Sequence, residues 1–205
     1  MKRVYLFLLF SIFCFSSAAQ EKNGFIDLGL SVKWASCNLG ASQPEDFGDC
    51  YAWGETTTKS YFAWKTYEFG TYSSGMAVYN EEDKTIELKP EHDAATVVLG
   101  EGCRIPTRED FQELKNKCKW QYTSVKGVNG YKVVGPNGNS IFLPIYGYYI
   151  NDSLAYTKDI VGEYWTSTRS SKESHCAYFF RVTADEYEIS VFNRCHGRSV
   201  RAVCD

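Results

Sequence analysis

The sequence contains no Cys-x-x-Cys pair and no Gly-x-Ser-x-Gly elbow, and it has only three histidines. The first absence removes the usual spacing of a zinc ribbon and of a thioredoxin-type redox centre. The second, with so few imidazoles, leaves no ready set of nucleophile, base and orienting carboxylate for a hydrolase. Basic clusters are missing too: 22 Lys and Arg stand against 25 Asp and Glu, for a net charge of -3. Nucleic acid would require a positive stripe, so no such partner is expected. After Phe15 no further apolar run is long enough to cross a bilayer as a helix.

What is present begins with Lys2 and Arg3, an apolar run from Val4 to Phe15, and the small residues Ser16 to Ala19. This is the order of a secretory signal peptide. Ser17 and Ala19 fit the -3 and -1 positions, so cleavage is expected after Ala19. Residues 1–19 would be removed, and 20–205 would form one domain beginning at Gln20. The run is about a dozen residues, short of the roughly 20 a retained spanning helix needs, and Phe13 is too large to precede a lipidated Cys14. The chain is expected in the periplasm, at the outer surface or secreted.

Of eight cysteines, Cys14 leaves with the leader. Cys37, Cys50, Cys103, Cys118, Cys176, Cys195 and Cys204 remain. Outside the cytoplasm disulfides are the default, and an odd count leaves at least one thiol unpaired or shared with another chain. The 15 Tyr, 13 Phe and 5 Trp must be buried or used for binding.

Local signals predict two helices between stretches of short strands, an α+β architecture. Pro90 opens a short helix over Ala94–Leu99, stopped by Gly100. Thr107 and Asp110 have capping-box spacing, and Phe111, Leu114 and Cys118 recur at i, i+3, i+7, which points Cys118 toward the core. Residues 66–90 show no period and read as an irregular insertion. Asn129-Gly130 and Pro136-Asn137-Gly138 mark turns around Tyr131–Val134 and Ile141–Leu143.

Residues His175 to His196 read as a hairpin turning at Asp185-Glu186. That register sets Cys176 opposite Cys195 and His175 opposite His196. Alternation gives a core face of Cys176, Tyr178, Phe180 and Val182 against Ile189, Val191, Asn193 and Cys195. The other face carries Phe179, Arg181, Phe192 and Arg194 and is expected to meet solvent. A Cys176–Cys195 disulfide follows. Zinc does not, because the cysteines and histidines would lie on opposite faces. His92 beside Asp93 is read as a solvated helix face. Gln43-Pro44-Glu45 lies upstream of the helices and is discounted as a calcium-lectin tripeptide. No catalytic residue, metal or cofactor is assigned.

Several stretches together resemble one family: Phe25–Leu30, Lys33–Ala41, Tyr51–Thr56, Asp93–Thr96, Arg104–Thr107, Asn129–Lys132, Tyr164–Thr168 and Ser199–Cys204. They are similar to the Fibrobacter succinogenes major paralogous domain family of exported Bacteroidetes proteins, itself similar to the C-type-lectin-like fold of formylglycine-generating enzymes and retroelement variable proteins. The resemblance implies a C-type-lectin-like domain whose termini meet in a sheet beside the capped helix. It implies a Cys118–Cys204 bridge, with Cys37 a rival partner for either. Cys50 and Cys103 are left as a further pair. Trp165-Thr166-Ser167 stands where calcium lectins carry Trp-Asn-Asp, and the formylglycine enzymes' redox cysteines have no counterpart.

The expected function is a non-catalytic binding module for carbohydrate or a protein partner. A structural subunit of a surface assembly is the alternative. In lectin-like variable proteins the C-terminal strands and the loops before them bind. By that analogy the candidate residues are Tyr148, Tyr149, Tyr156, Arg169, Phe179, Arg181, Phe192 and Arg194, aromatics and arginines suited to stacking on sugar rings or to an interface.

Overall fold

A computed structural model describes residues 24–72, 75–76, 78–80, 85–155 and 159–205. The cleavage site and Tyr156 lie outside them. The strands begin with β1 (Phe25–Ile26), β2 (Lys33–Ala35), β3 (Cys50–Tyr51), β4 (Gly70–Thr71) and β5 (Gly75–Met76). Helix α1 (Ala94–Leu99), β6 (Cys103–Arg104) and helix α2 (Arg108–Lys117) follow. β7 (Lys119–Val125), β8 (Val128–Val134) and β9 (Ser140–Pro144) form a meander, and β10 (Tyr148–Ile150) pairs with β11 (Ser153–Ala155). The last strands are β12 (Gly162–Arg169), β13 (Cys176–Val182), β14 (Tyr187–Asn193), β15 (Arg198–Ser199) and β16 (Val203–Cys204). The fold is mixed α+β with mostly small sheets.

Both helices start where a side chain satisfies their first amides. The Asp93 carboxylate accepts from the Thr96 amide at 3.0 Å, and Gly100, at φ +96°, ends α1. Thr107 Oγ1 accepts from the Asp110 amide at 3.1 Å, while Asp110 accepts from the Thr107 amide at 2.7 Å. This is the reciprocal capping box that the spacing predicts. Phe111 and Leu114 are fully buried, and Cys118, the C-cap, packs half-buried against the same core.

The turn expected at Asn129-Gly130 sits three residues earlier, with Lys126 at φ +47° and Gly127 at φ +81°. Asn129 and Gly130 lie inside β8. Gly130 serves close approach instead: a Cβ there would stand 2.3 Å from the Leu143 carbonyl. Nor do the described residues of 66–90 behave as a loose insertion. Tyr67, Phe69 and Tyr79 are buried, and the Tyr79 hydroxyl accepts from the Lys89 amide at 2.7 Å.

One sheet runs β1-β2-β16-β6, so an early strand and the last strand lie side by side. The largest sheet runs β14-β13-β12-β15-β3 and carries a core on each face. On one side Trp34, Phe111, Leu114, Phe180 and Val182 pack together, with Phe111 stacked on Phe180 at 4.7 Å. On the other are Trp53, Tyr79, Trp165, Phe179 and Val200. Two-sided burial overturns the expectation that Phe179 meets solvent; it is only 4% exposed.

The hairpin is real, but its register is shifted by two. Cys176 pairs with Asn193, Ala177 with Phe192 and Phe179 with Ser190. The Thr183 amide donates to the Glu186 carbonyl at 2.8 Å, centring the turn on Ala184-Asp185. A two-residue shift preserves which side chains share a face, so the apolar grouping survives while every partner changes.

That shift removes the reason for a Cys176–Cys195 bridge. Both are free thiols, as are Cys37, Cys50 and Cys118. The disulfide joins Cys103 to Cys204, which lie opposite each other on β6 and β16 with Cα atoms 4.2 Å apart. This replaces both the Cys118–Cys204 and the Cys50–Cys103 pairings. Cys118 is the C-cap of α2 and remains a free thiol, and Cys50 faces Ser199 across the β3–β15 pair.

Candidate functional site

Arginine gathers at the C-terminus of this chain, and the fold buries it. Arg194, Arg198 and Arg201 are among the largest fully buried side chains. A buried guanidinium must find acceptors, because desolvation without them is prohibitive. Arg201 donates to Asn38 Oδ1 at 2.8 Å and to the carbonyls of Ser36 at 2.8 Å, Phe142 at 3.0 Å and Ala35 at 3.1 Å. Arg194 donates to the Tyr79 carbonyl at 2.7 Å and lies 4.5 Å from the Trp53 ring centroid. Arg198 pairs with Glu163 at 2.7 Å between the rings of Phe179 at 4.1 Å and Trp165 at 4.2 Å. Burial lifts the Glu163 carboxyl above the ordinary carboxylate value, opposed by the Arg198 charge.

Above Arg198 the surface becomes aromatic. The Tyr148 ring on β10 lies 5.1 Å from the guanidinium and 6.1 Å from the His196 ring. Phe192, on the outer strand β14, lies 5.2 Å from His196 and is 47% exposed. His196 is buried between them, and its Nδ1 has no partner among the described residues. The next residue on β10 takes the opposite face by alternation. Tyr149 accordingly sits against Phe62 at 5.8 Å and Phe47 at 6.3 Å, and Phe47 in turn stacks on Tyr146 at 4.5 Å.

The eight candidates therefore separate. Tyr148, Tyr149 and Arg181 are half-buried and Phe192 is exposed. Phe179, Arg169 and Arg194 are buried and hold the fold rather than a ligand. Arg169 Nε donates to the Thr85 carbonyl at 2.9 Å. Tyr156 lies outside the described residues. His196 and Arg198, buried beneath Tyr148, and Phe47 and Tyr146, on the Tyr149 side of β10, were not anticipated. A histidine two residues before an arginine carries no mark of burial, although the Tyr146–Tyr149 cluster is visible.

Burial, reinforced by the Arg198 charge, brings the His196 imidazole down to about 4. In an unfolded chain it would protonate near 6.5. Between those values the unfolded chain binds the extra proton, so this residue's contribution to stability falls as pH drops from about 6.5 toward 4. The carboxylates Glu87, Asp93 and Glu163, all raised by desolvation, act in the opposite sense. They are common to wild type and variant and cancel in a difference. Melts across pH 4–7 should show wild type losing more stability on acidification than His196→Gln. Parallel curves would show that His196 is solvated.

A cleft of about 520 Å³ beside α1 is lined by Glu87, Asp93, Arg104, Glu101, Ser167 and Asp205. Its half-buried Glu87 and buried Asp93 have structural partners. Glu87 accepts from the Ser167 and Thr168 hydroxyls, and Asp93 accepts from the amides of Thr96 and Ile105. His92 is not a solvated helix face: it lies in the 3-10 turn Pro90–His92, half-buried, with Nδ1 3.0 Å from the Tyr79 hydroxyl. Glu45 pairs with Lys126 at 2.6 Å.

No family model matches the chain, and no curated protein or solved structure matches it either. Its class rests on its own geometry: a disulfide-bonded α+β fold with an aromatic surface above a buried arginine.

Proposed function

We propose that the protein is an exported, non-catalytic binding module of C-type-lectin-like fold that takes a carbohydrate or protein ligand on its Tyr148–Phe192 surface. The observation that carries this reading is that aromatic rings reach solvent while their base is fixed. Tyr148 and Phe192 flank His196, and Arg198, locked by Glu163, supports them from beneath. Rigid rings of this kind provide contact area at little entropic cost and stack on sugar faces or on an interface partner.

The fold assignment draws support from where the quoted motifs meet. Asn38 holds Arg201, the Trp53 indole donates to the Thr166 carbonyl at 2.8 Å, and the Trp165 indole donates to the Tyr51 carbonyl at 2.7 Å. These motifs stitch distant segments together, so they carry the architecture rather than the ligand site. Export follows from the leader read at residues 1–19.

The test is a glycan array probed with the chain beginning at Gln20, alongside Phe192→Ser. Exposed cross-strand aromatics contribute about 0.2–1 kcal/mol. The variant should therefore melt close to wild type yet lose its ligand. Retained binding would move the site elsewhere. The alternative, a subunit of a surface assembly, is favoured by one feature: β14 is an edge strand with Val191 and Phe192 exposed. An open edge templates pairing with another chain. Sedimentation that depends on concentration, and is abolished by Phe192→Ser, would select it.

A further inference from the structure

Across the hairpin, alternation separates the cysteines from the histidines. Just before β13 the chain does something alternation does not describe. Residues 173–176 form a turn in which the Cys176 amide donates to the Glu173 carbonyl at 2.9 Å. The turn brings three different metal-ligating groups together. Cys176 Sγ lies 3.4 Å from Glu173 Oε2, and His175 Nε2 lies 3.7 Å from the same oxygen. The ligand atoms of all three residues fall within 4.8 Å of one another.

Tetrahedral zinc with bonds of about 2.0–2.3 Å has edges of roughly 3.3–3.8 Å between its ligand atoms. The two short separations already match those edges. The backbone beneath is fixed on both sides. Ser170 Oγ accepts from the amides of Lys172 and Glu173, the Ser170 amide donates to the Cys176 carbonyl at 3.0 Å, and the Arg194 amide donates to the His175 carbonyl at 3.1 Å. Tyr72 and Trp64 wall the imidazole at 4.8 and 6.3 Å. Cys176 is buried and is not consumed by a disulfide.

We propose that Glu173, His175 and Cys176 form a binding site for a divalent transition metal of the zinc class. A thiolate and an imidazole select zinc-like ions over calcium or magnesium, which prefer oxygen donors. Coordination releases the Cys176 thiol proton to solvent. Three protein donors leave one tetrahedral position for water, the arrangement of an open rather than a closed site.

The probe is Co²⁺ added to the full mature chain, followed by competition with Zn²⁺. The expected result is one equivalent of Co²⁺ with a thiolate-to-cobalt charge-transfer band that Zn²⁺ displaces. Cys176→Ser should abolish the band. His175→Asn and Glu173→Gln change half-buried and exposed side chains and should leave the fold intact. Each should weaken Zn²⁺ binding at least as much as the roughly 10–100-fold that loss of an outer-shell partner costs. If Cys176→Ser does not fold, these two decide. Three outcomes would overturn the site: no band in protein whose Cys176 is shown free by alkylation, a band that survives in the variants, or Cys176 recovered in a disulfide.

Discussion

Replacing Arg198 with Met is expected to destabilise the fold by about 3–5 kcal/mol, because it leaves the buried Glu163 carboxylate without its cation. The two side chains are 1% and 5% exposed and meet at 2.7 Å in the middle of the largest sheet. Removing one partner of such a pair is far more costly than removing both, since the desolvated charge that remains has nothing to face. Arg198→Met combined with Glu163→Met should therefore recover much of the loss. Urea unfolding of the single and double variants at neutral pH measures this. The single-variant penalty should shrink on acidification, where Glu163 can take up a proton. A penalty below about 1 kcal/mol would be the value of a surface pair and would show that water reaches the site.

Removing the disulfide should have an effect of similar size. Cys103→Ser with Cys204→Ser is expected to cost about 2–5 kcal/mol, toward the upper end because the bridge closes a long loop. It links residues 101 apart in sequence. It also clamps two strands, β6 and β16, of only two residues each, too short to hold their pairing by backbone bonds alone. Oxidised and variant proteins compared by denaturant unfolding would show it directly. Cys118→Ser, at a free thiol, should stay within about 1 kcal/mol of wild type. An equal loss in both would mean that cysteine burial, not the crosslink, stabilises this end of the chain.

Much of the local structure was legible without coordinates. Helix α2 begins at the capping box its spacing predicts and α1 ends at Gly100, because a cap is a contact between residues a few positions apart. Which side chains share a face of the β13–β14 hairpin was legible too, since alternation is a property of each strand alone, but which of those faces is covered was not. The pairing was not. The turn centres one residue earlier than expected, which moves the pairing by two residues, and no face pattern can report a two-residue shift because it changes none.

Groups whose partners are remote in sequence depended on the fold. Cys204 meets Cys103 because β16 inserts between β2 and β6, an outcome of sheet order. Phe179 is buried because a second core covers the far face of β13, and Arg194 because carbonyls from the segment near Tyr79 reach it. Polarity in sequence places arginines on the surface. Here carbonyls, a carboxylate and aromatic faces supplied by distant segments replace their water. His196 and Cys176 follow the same logic: one lost its solvent to neighbours from β10 and β14, the other gained a carboxylate and an imidazole from a turn. Caps, the alternation of side chains along each strand and the abundance of rings are short-range properties and can be read from the residues alone. Which rings remain exposed, and which charges are shielded, depended on long-range packing, where burial is settled by whatever the chain brings to the other side.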